Sequence, residues 1–174
     1  NDHAYYGGGT IYVENPSSNS QIFNSSLSYN KASWVLHMLR HKVGDEMFFE
    51  ILKEYASNDS LAYNAASTAD FQKVCEDISG MDFEQFFQQW IYGDRYPKYE
   101  LSWWSEENDI YKVKIDQIQS YGIFSMPIDL NFSGSIGPLS VDTTMVVENN
   151  TASHLYEISG LDFLVENVTI DPDN

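Results

Sequence analysis

Trp90-Ile91-Tyr92-Gly93-Asp94-Arg95-Tyr96-Pro97-Lys98-Tyr99 is the stretch in which the chain changes its period. Upstream, apolar residues recur every three to four positions, the spacing of one face of a helix; downstream they alternate, the spacing of one face of a strand. Asp82 opens the last helical stretch, with Phe83, Phe86, Phe87, Trp90 and Ile91 on one side, and Gly93 closes it. Past Pro97 the alternation is plain in Met126-Pro127-Ile128-Asp129-Leu130-Asn131-Phe132, where Met126, Ile128, Leu130 and Phe132 share one face. The expected fold is α+β: a helical part over residues 1–95 followed by an antiparallel β-sandwich over residues 96–174.

Working back from the switch, start and stop signals punctuate three more helices. Ser28 is the expected cap of a helix that turns Ala32, Val35, Leu36, Leu39 and Val43 inward and stops at Gly44. Asp45 caps the next, with Phe48, Phe49, Ile51, Leu52 and Tyr55 on its apolar side, and Ser67 with Asp70 resembles a capping box for a third that ends at Gly80. Residues before Ser28 are rich in Gly, Ser and Asn and read as loop, with at most one strand at Thr10 to Val13. Working forward, strands are expected at Tyr99 to Trp104, Ile110 to Gln119, Met126 to Phe132, Leu139 to Val147, His154 to Ile158 and Val165 to Ile170. Turns fall at Glu106-Glu107-Asn108-Asp109 and at Ser133 to Pro138.

The 174 residues carry 26 acidic against 9 basic side chains, a formal net charge of −17, which repels phosphate backbones and anionic surfaces and argues against a nucleic-acid partner. Excess surface carboxylate reads first as a solvated face. No apolar run approaches the ~20 residues that span a bilayer, so no membrane role is expected. A start at Asn-Asp-His without an initiator Met reads as a piece excised from something longer. The single cysteine, Cys75, lies on an apolar stripe with Phe71, Val74 and Ile78, where a thiol is inert and no intrachain disulfide can form. Five Asn-x-Ser/Thr sequons, at Asn24, Asn58, Asn131, Asn149 and Asn167, are near the number chance gives in a chain this rich in Asn and Ser.

Few constellations carry chemistry. His37 and His41 stand four apart on one helix, the spacing of two zinc ligands, but the general-base Glu of H-E-x-x-H is replaced by Met38, and Arg40 and Lys42 add positive charge. They read as residues that pack or cap near a helix C-terminus. There is no Gly-x-Ser-x-Gly elbow, and Gly7-Gly8-Gly9 is followed by neither lysine nor helix start. Trp34 and Trp90 read as packing between helices, and Trp103-Trp104 alternate faces, which argues against a carbohydrate platform.

Leu27-Ser28-Tyr29-Asn30-Lys31-Ala32-Ser33-Trp34-Val35-Leu36-His37-Met38-Leu39-Arg40, then Val43-Gly44-Asp45-Glu46-Met47-Phe48-Phe49, resembles the stretch of the aminopeptidase N family, the gluzincin aminopeptidases, built around Tyr-x-Lys-Gly. Two further landmarks keep the family's order: Thr68-Ala69-Asp70-Phe71, like its T-x-x-D-F helix start, and Phe86-Phe87-Gln88-Gln89-Trp90 followed by Tyr96-Pro97, like its F-F-x-x-W close. The resemblance covers Ser28 to Trp104; beyond that only strand pattern and position agree. It implies that residues 1–95 are the C-terminal helical part of a thermolysin-like catalytic domain and that the longer protein is a zinc aminopeptidase, often an exported one, periplasmic or extracellular. Its metal ligands and water-activating Glu would lie upstream, so the chain alone binds no cofactor, is inactive, and has the upstream half and a peptide substrate as partners. Tyr29 takes the place of the family tyrosine that donates a hydrogen bond to the oxyanion. Lys31 is given a helix-surface place without chemistry. One departure stands out: the family Gly after Lys is Ala32 here, which leaves open a non-catalytic relative used as a binding or assembly module.

Overall fold

Ser67 fixes the start of a helix from both directions. In the computed structural model, which describes residues 8–107 and 109–171, the Asp70 N–H donates to Ser67 Oγ at 3.3 Å, while the Ser67 N–H donates to an Asp70 carboxylate oxygen at 2.8 Å. This reciprocal box satisfies two donors that a helix start would otherwise leave orphaned. The Ser67 hydroxyl and backbone N–H also hold the Asp70 carboxyl below its ordinary pKa. That contribution is complete above the unfolded carboxyl pKa and fades as pH falls through the lower folded value. Ser67→Ala is therefore expected to cost about 1 kcal/mol at neutral pH, with the difference from wild type shrinking in acid; urea unfolding followed by far-UV circular dichroism checks both.

The elements run α1 (Asn19–Ile22), a π-helical segment π1 (Ser25–Lys31), α2 (Ala32–Val43), α3 (Asp45–Ser57), α4 (Thr68–Ser79), α5 (Glu84–Phe87) and a second π-helical segment π2 (Gln88–Tyr92). The strands follow as β1 (Tyr99–Glu106), β2 (Ile110–Gln117), β3 (Met126–Ile136), β4 (Leu139–Asn149), β5 (Ser153–Ile158) and β6 (Leu164–Ile170). The protein is α+β, and it divides into two compact units between Arg95 and Tyr96.

In the first unit the core is built from Val35 and Leu39 of α2, Phe48 and Ile51 of α3, Val74 and Cys75 of α4, and Phe83, Phe86, Phe87, Trp90 and Ile91 of the closing segment. Phe71 and Phe87 lie 6.0 Å apart, and Tyr55 meets Phe71 at 5.0 Å, within the range of favourable edge contacts. Burial pushes the Cys75 thiol up to about 12, so it stays protonated at neutral pH.

Several local expectations change. Ser28 is not a cap: Asn24 Oδ1 accepts from the Ser26 and Leu27 N–H groups, each at 3.0 Å, and the helical backbone then runs unbroken through π1 into α2. Asn24 wins because a side-chain oxygen at that point can serve two orphan donors, while Ser28 sits one turn in, with its own N–H bonded to the Asn24 carbonyl. Gly44, at φ +81°, rather than Asp45 precedes α3, and Asp45 instead pairs with Arg40 through two hydrogen bonds. Thr10 to Val13 form no strand, but the Ile11 and Tyr12 N–H groups both reach the Ile91 carbonyl. Leu36, Phe49 and Trp34 are exposed, at 38%, 55% and 38%, because the apolar residues of α2 and α3 extend around more of each helix than the unit's own core covers.

In the second unit the sheets are β1-β2-β5 and β4-β3-β6, antiparallel throughout. Tyr111, Val113 and Ile115 of β2 share one core with Ile128, Leu130 and Phe132 of β3 and Val165 and Val168 of β6. A buried polar pin joins strand ends: Gln117 Nε2 donates to Asn149 Oδ1 at 2.6 Å and to the Phe124 carbonyl at 2.8 Å. The turn expected over Ser133 to Pro138 is shorter, since β3 continues to Ile136 and only Gly137 and Pro138 connect it to β4. Gly134 is a bulge residue, where the β3–β6 register shifts and any Cβ would collide with the Leu164 carbonyl. Of the expected Glu106 to Asp109 turn, Asn108 lies outside the described residues.

Candidate functional site

Tyr29 projects from π1. A π-turn widens the helix by one residue, and here the Ala32 N–H turns toward both the Leu27 and Tyr29 carbonyls. The side chain is 56% exposed, so its hydroxyl is available to donate a hydrogen bond to a group brought from outside the unit. Asn24 anchors the start of π1, and Ser28 Oγ adds a bond to the Gln21 carbonyl at 3.2 Å. Tyr29 is thus in the interior of a continuous helical run, and not at the first turn that a cap at Ser28 would give it.

Lys31, two residues on, is the largest departure from the sequence reading. It is buried, at 5% exposure, and its Nζ donates to the Gly9 carbonyl at 3.0 Å and the Gly93 carbonyl at 2.6 Å. Burial lowers its pKa from the ordinary lysine value, and the nearby Asp94 charge works in the opposite direction. Charge-assisted bonds of this kind offset the desolvation of a buried ammonium. Both partners are glycines that approach closely. At Gly93 a Cβ would strike the Gln89 carbonyl, and at Gly9, φ +133°, it would press on the Leu27 side chain. No local signal reveals this, because the partners lie 22 and 62 residues away.

Ala32 adopts φ −63° and ψ −39°, ordinary right-handed dihedrals, so the backbone there does not require glycine. Beside π1 is a pocket of about 170 Å³ lined by Thr10, Tyr12, Val13, Gln21, Asn24 and Leu27, below the volume of a typical ligand site. His37 and His41 are both exposed on α2, and the His37 ring meets Trp34 edge-on at 6.1 Å. Among the described residues no three His, Cys, Asp or Glu side chains come together to hold a metal. The donor set for zinc is therefore not provided by these residues. No helix among them is long and apolar enough to cross a membrane.

Residues 5–90 match the model of the Peptidase family M1 domain, and through this stretch the chain is similar to peptidase family M1. Aminopeptidase N of Lactococcus lactis subsp. lactis is 33% identical over 85 residues, covering 49% of this chain and 10% of that protein. Aminopeptidase M1-D of Oryza sativa subsp. japonica is 31% identical over 87 residues, covering 50% and 10%. A relative of a different name, transcription initiation factor TFIID subunit 2 of Schizosaccharomyces pombe, is 32% identical over 112 residues, covering 59% and 10%. The chain thus spans about a tenth of the length of these relatives. Among solved structures, Legionella pneumophila aminopeptidase A in complex with aspartic acid matches with a TM-score of 0.76 at 12% identity, over 94% of this chain and 18% of that one. This is a likeness of fold.

Proposed function

We propose that this chain is part of a zinc aminopeptidase that removes N-terminal residues from peptides, with residues 1–95 forming the C-terminal helical part of its thermolysin-like catalytic domain. The M1 match over the helical unit carries the reading. In it the metal and the water-activating carboxylate come from outside the described residues, and Tyr29 supplies a hydrogen bond to the oxyanion of the tetrahedral intermediate. Exposure of the phenol supports that role, because an oxyanion donor must be presented to a substrate. Apolar side chains left uncovered on the same unit, Phe23, Trp34, Leu36 and Phe49, fit a unit that packs against more of a longer protein.

The second reading is a non-catalytic relative used in assembly, and it has one specific support, the TFIID subunit 2 match. Turnover of amino-acid anilides by the full-length protein supplied with zinc separates the two. Turnover that a chelator abolishes and zinc restores is the expected result. A folded, zinc-supplied protein that turns over none of a panel of anilides would move the case to the assembly reading.

A further inference from the structure

We propose that Lys31 is the positioning residue for Tyr29: its ammonium fastens the π-turn that presents the phenol to two chain segments that flank the helices, at Gly9 and Gly93. This rests on the reading of Tyr29 given above. Lys31 closes π1, and the next N–H bonds back to the Tyr29 carbonyl, so the two residues share one turn of backbone. Nζ then ties that turn to two chain segments, one before it and one after it. One of them is also strapped to π2 through the Ile11 and Tyr12 bonds to the Ile91 carbonyl, and the Tyr12 and Tyr92 rings lie 5.4 Å apart.

The consequence for chemistry follows from reach. A hydrogen-bond donor stabilises an oxyanion only within a narrow range of distance, and a displacement of about 1 Å can cost about a hundredfold in rate. An uncharged residue at position 31 keeps the helix but lets π1 shift against Gly9 and Gly93. The loss should appear in kcat, because substrate binding in the ground state does not draw on the Tyr29 hydroxyl.

The test is a double-mutant cycle in the full-length, zinc-supplied protein, using an amino-acid anilide. Lys31→Met is expected to lower kcat about tenfold with KM within about twofold; Lys31→Arg, which keeps donors and charge, should recover part of the loss. Added to Tyr29→Phe, Lys31→Met should cost nothing further. Full additivity, or no effect of Lys31→Met while Tyr29→Phe is slow, overturns the positioning role and leaves the Tyr29 reading intact. No effect of Tyr29→Phe in an active protein overturns both. Amide exchange supplies a readout independent of turnover. Residues 25–32 and Ile11 and Tyr12 should exchange at least about tenfold faster in Lys31→Met, and unchanged exchange there overturns the proposal even in a protein without peptidase activity. If Lys31→Met does not fold, Lys31→Arg carries the same cycle and exchange comparison, with a smaller kcat loss that again vanishes on Tyr29→Phe; additivity there overturns the role.

Discussion

Tyr29→Phe is expected to lower kcat of the full-length protein by about a hundredfold or more while KM changes little. The substitution removes one oxygen from a side chain that is 56% exposed, so folding should be almost unaffected. A neutral donor aimed at a developing negative charge contributes little in the ground state, when the carbonyl is uncharged, and much more in the transition state. Deleting such a donor typically costs about 2.7–4 kcal/mol of barrier, which sets the expected size. Steady-state kinetics on an amino-acid anilide checks it. A variant as fast as wild type would make Tyr29 a surface residue and the motif alignment wrong. A raised KM with kcat preserved would instead place the hydroxyl in substrate binding.

The second large effect is structural. Phe132→Ala is expected to destabilise the β-unit by about 3–5 kcal/mol, because Phe132 is fully buried where β3 meets residues of β2 and β6. Total stabilities of small domains are about 5–15 kcal/mol, so the variant should sit near the edge of folding. Val146→Ala is the control, since that side chain is 60% exposed on β4 and should change stability by less than about 0.5 kcal/mol. Thermal unfolding followed in the near ultraviolet reports both. A loss below about 1 kcal/mol for Phe132→Ala would mean that the two sheets do not depend on a common core.

Strands proved more legible than helix starts, and the reason lies in how each signal is written. Alternation is repeated at every second residue, so Met126, Ile128, Leu130 and Phe132 locate β3 redundantly. Its far end was misread because Gly134 is equally good chemistry for a turn and for a bulge; only the pairing with β6 decides. The capping box at Ser67 and Asp70 was legible because both partners are local. The start of π1 was not, since Asn24 and Ser28 are both competent caps and the choice depends on where the preceding chain is held. For the candidate site, the family motif brings Tyr29 forward, while the burial of Lys31 depends on Gly9 and Gly93 and leaves no trace in periodicity. Lysine is almost never fully buried unless paired, so a surface place was the natural expectation. Likewise Trp34 and Leu36 carry the apolar character of a core without being in one here.

Gly9 and Gly93 meet the same nitrogen atom, so the segment before π1 and the segment after π2 are tied together at one point. A tie of that kind closes the intervening chain into a ring, so a fluctuation that frees one segment also loosens its hold on the other.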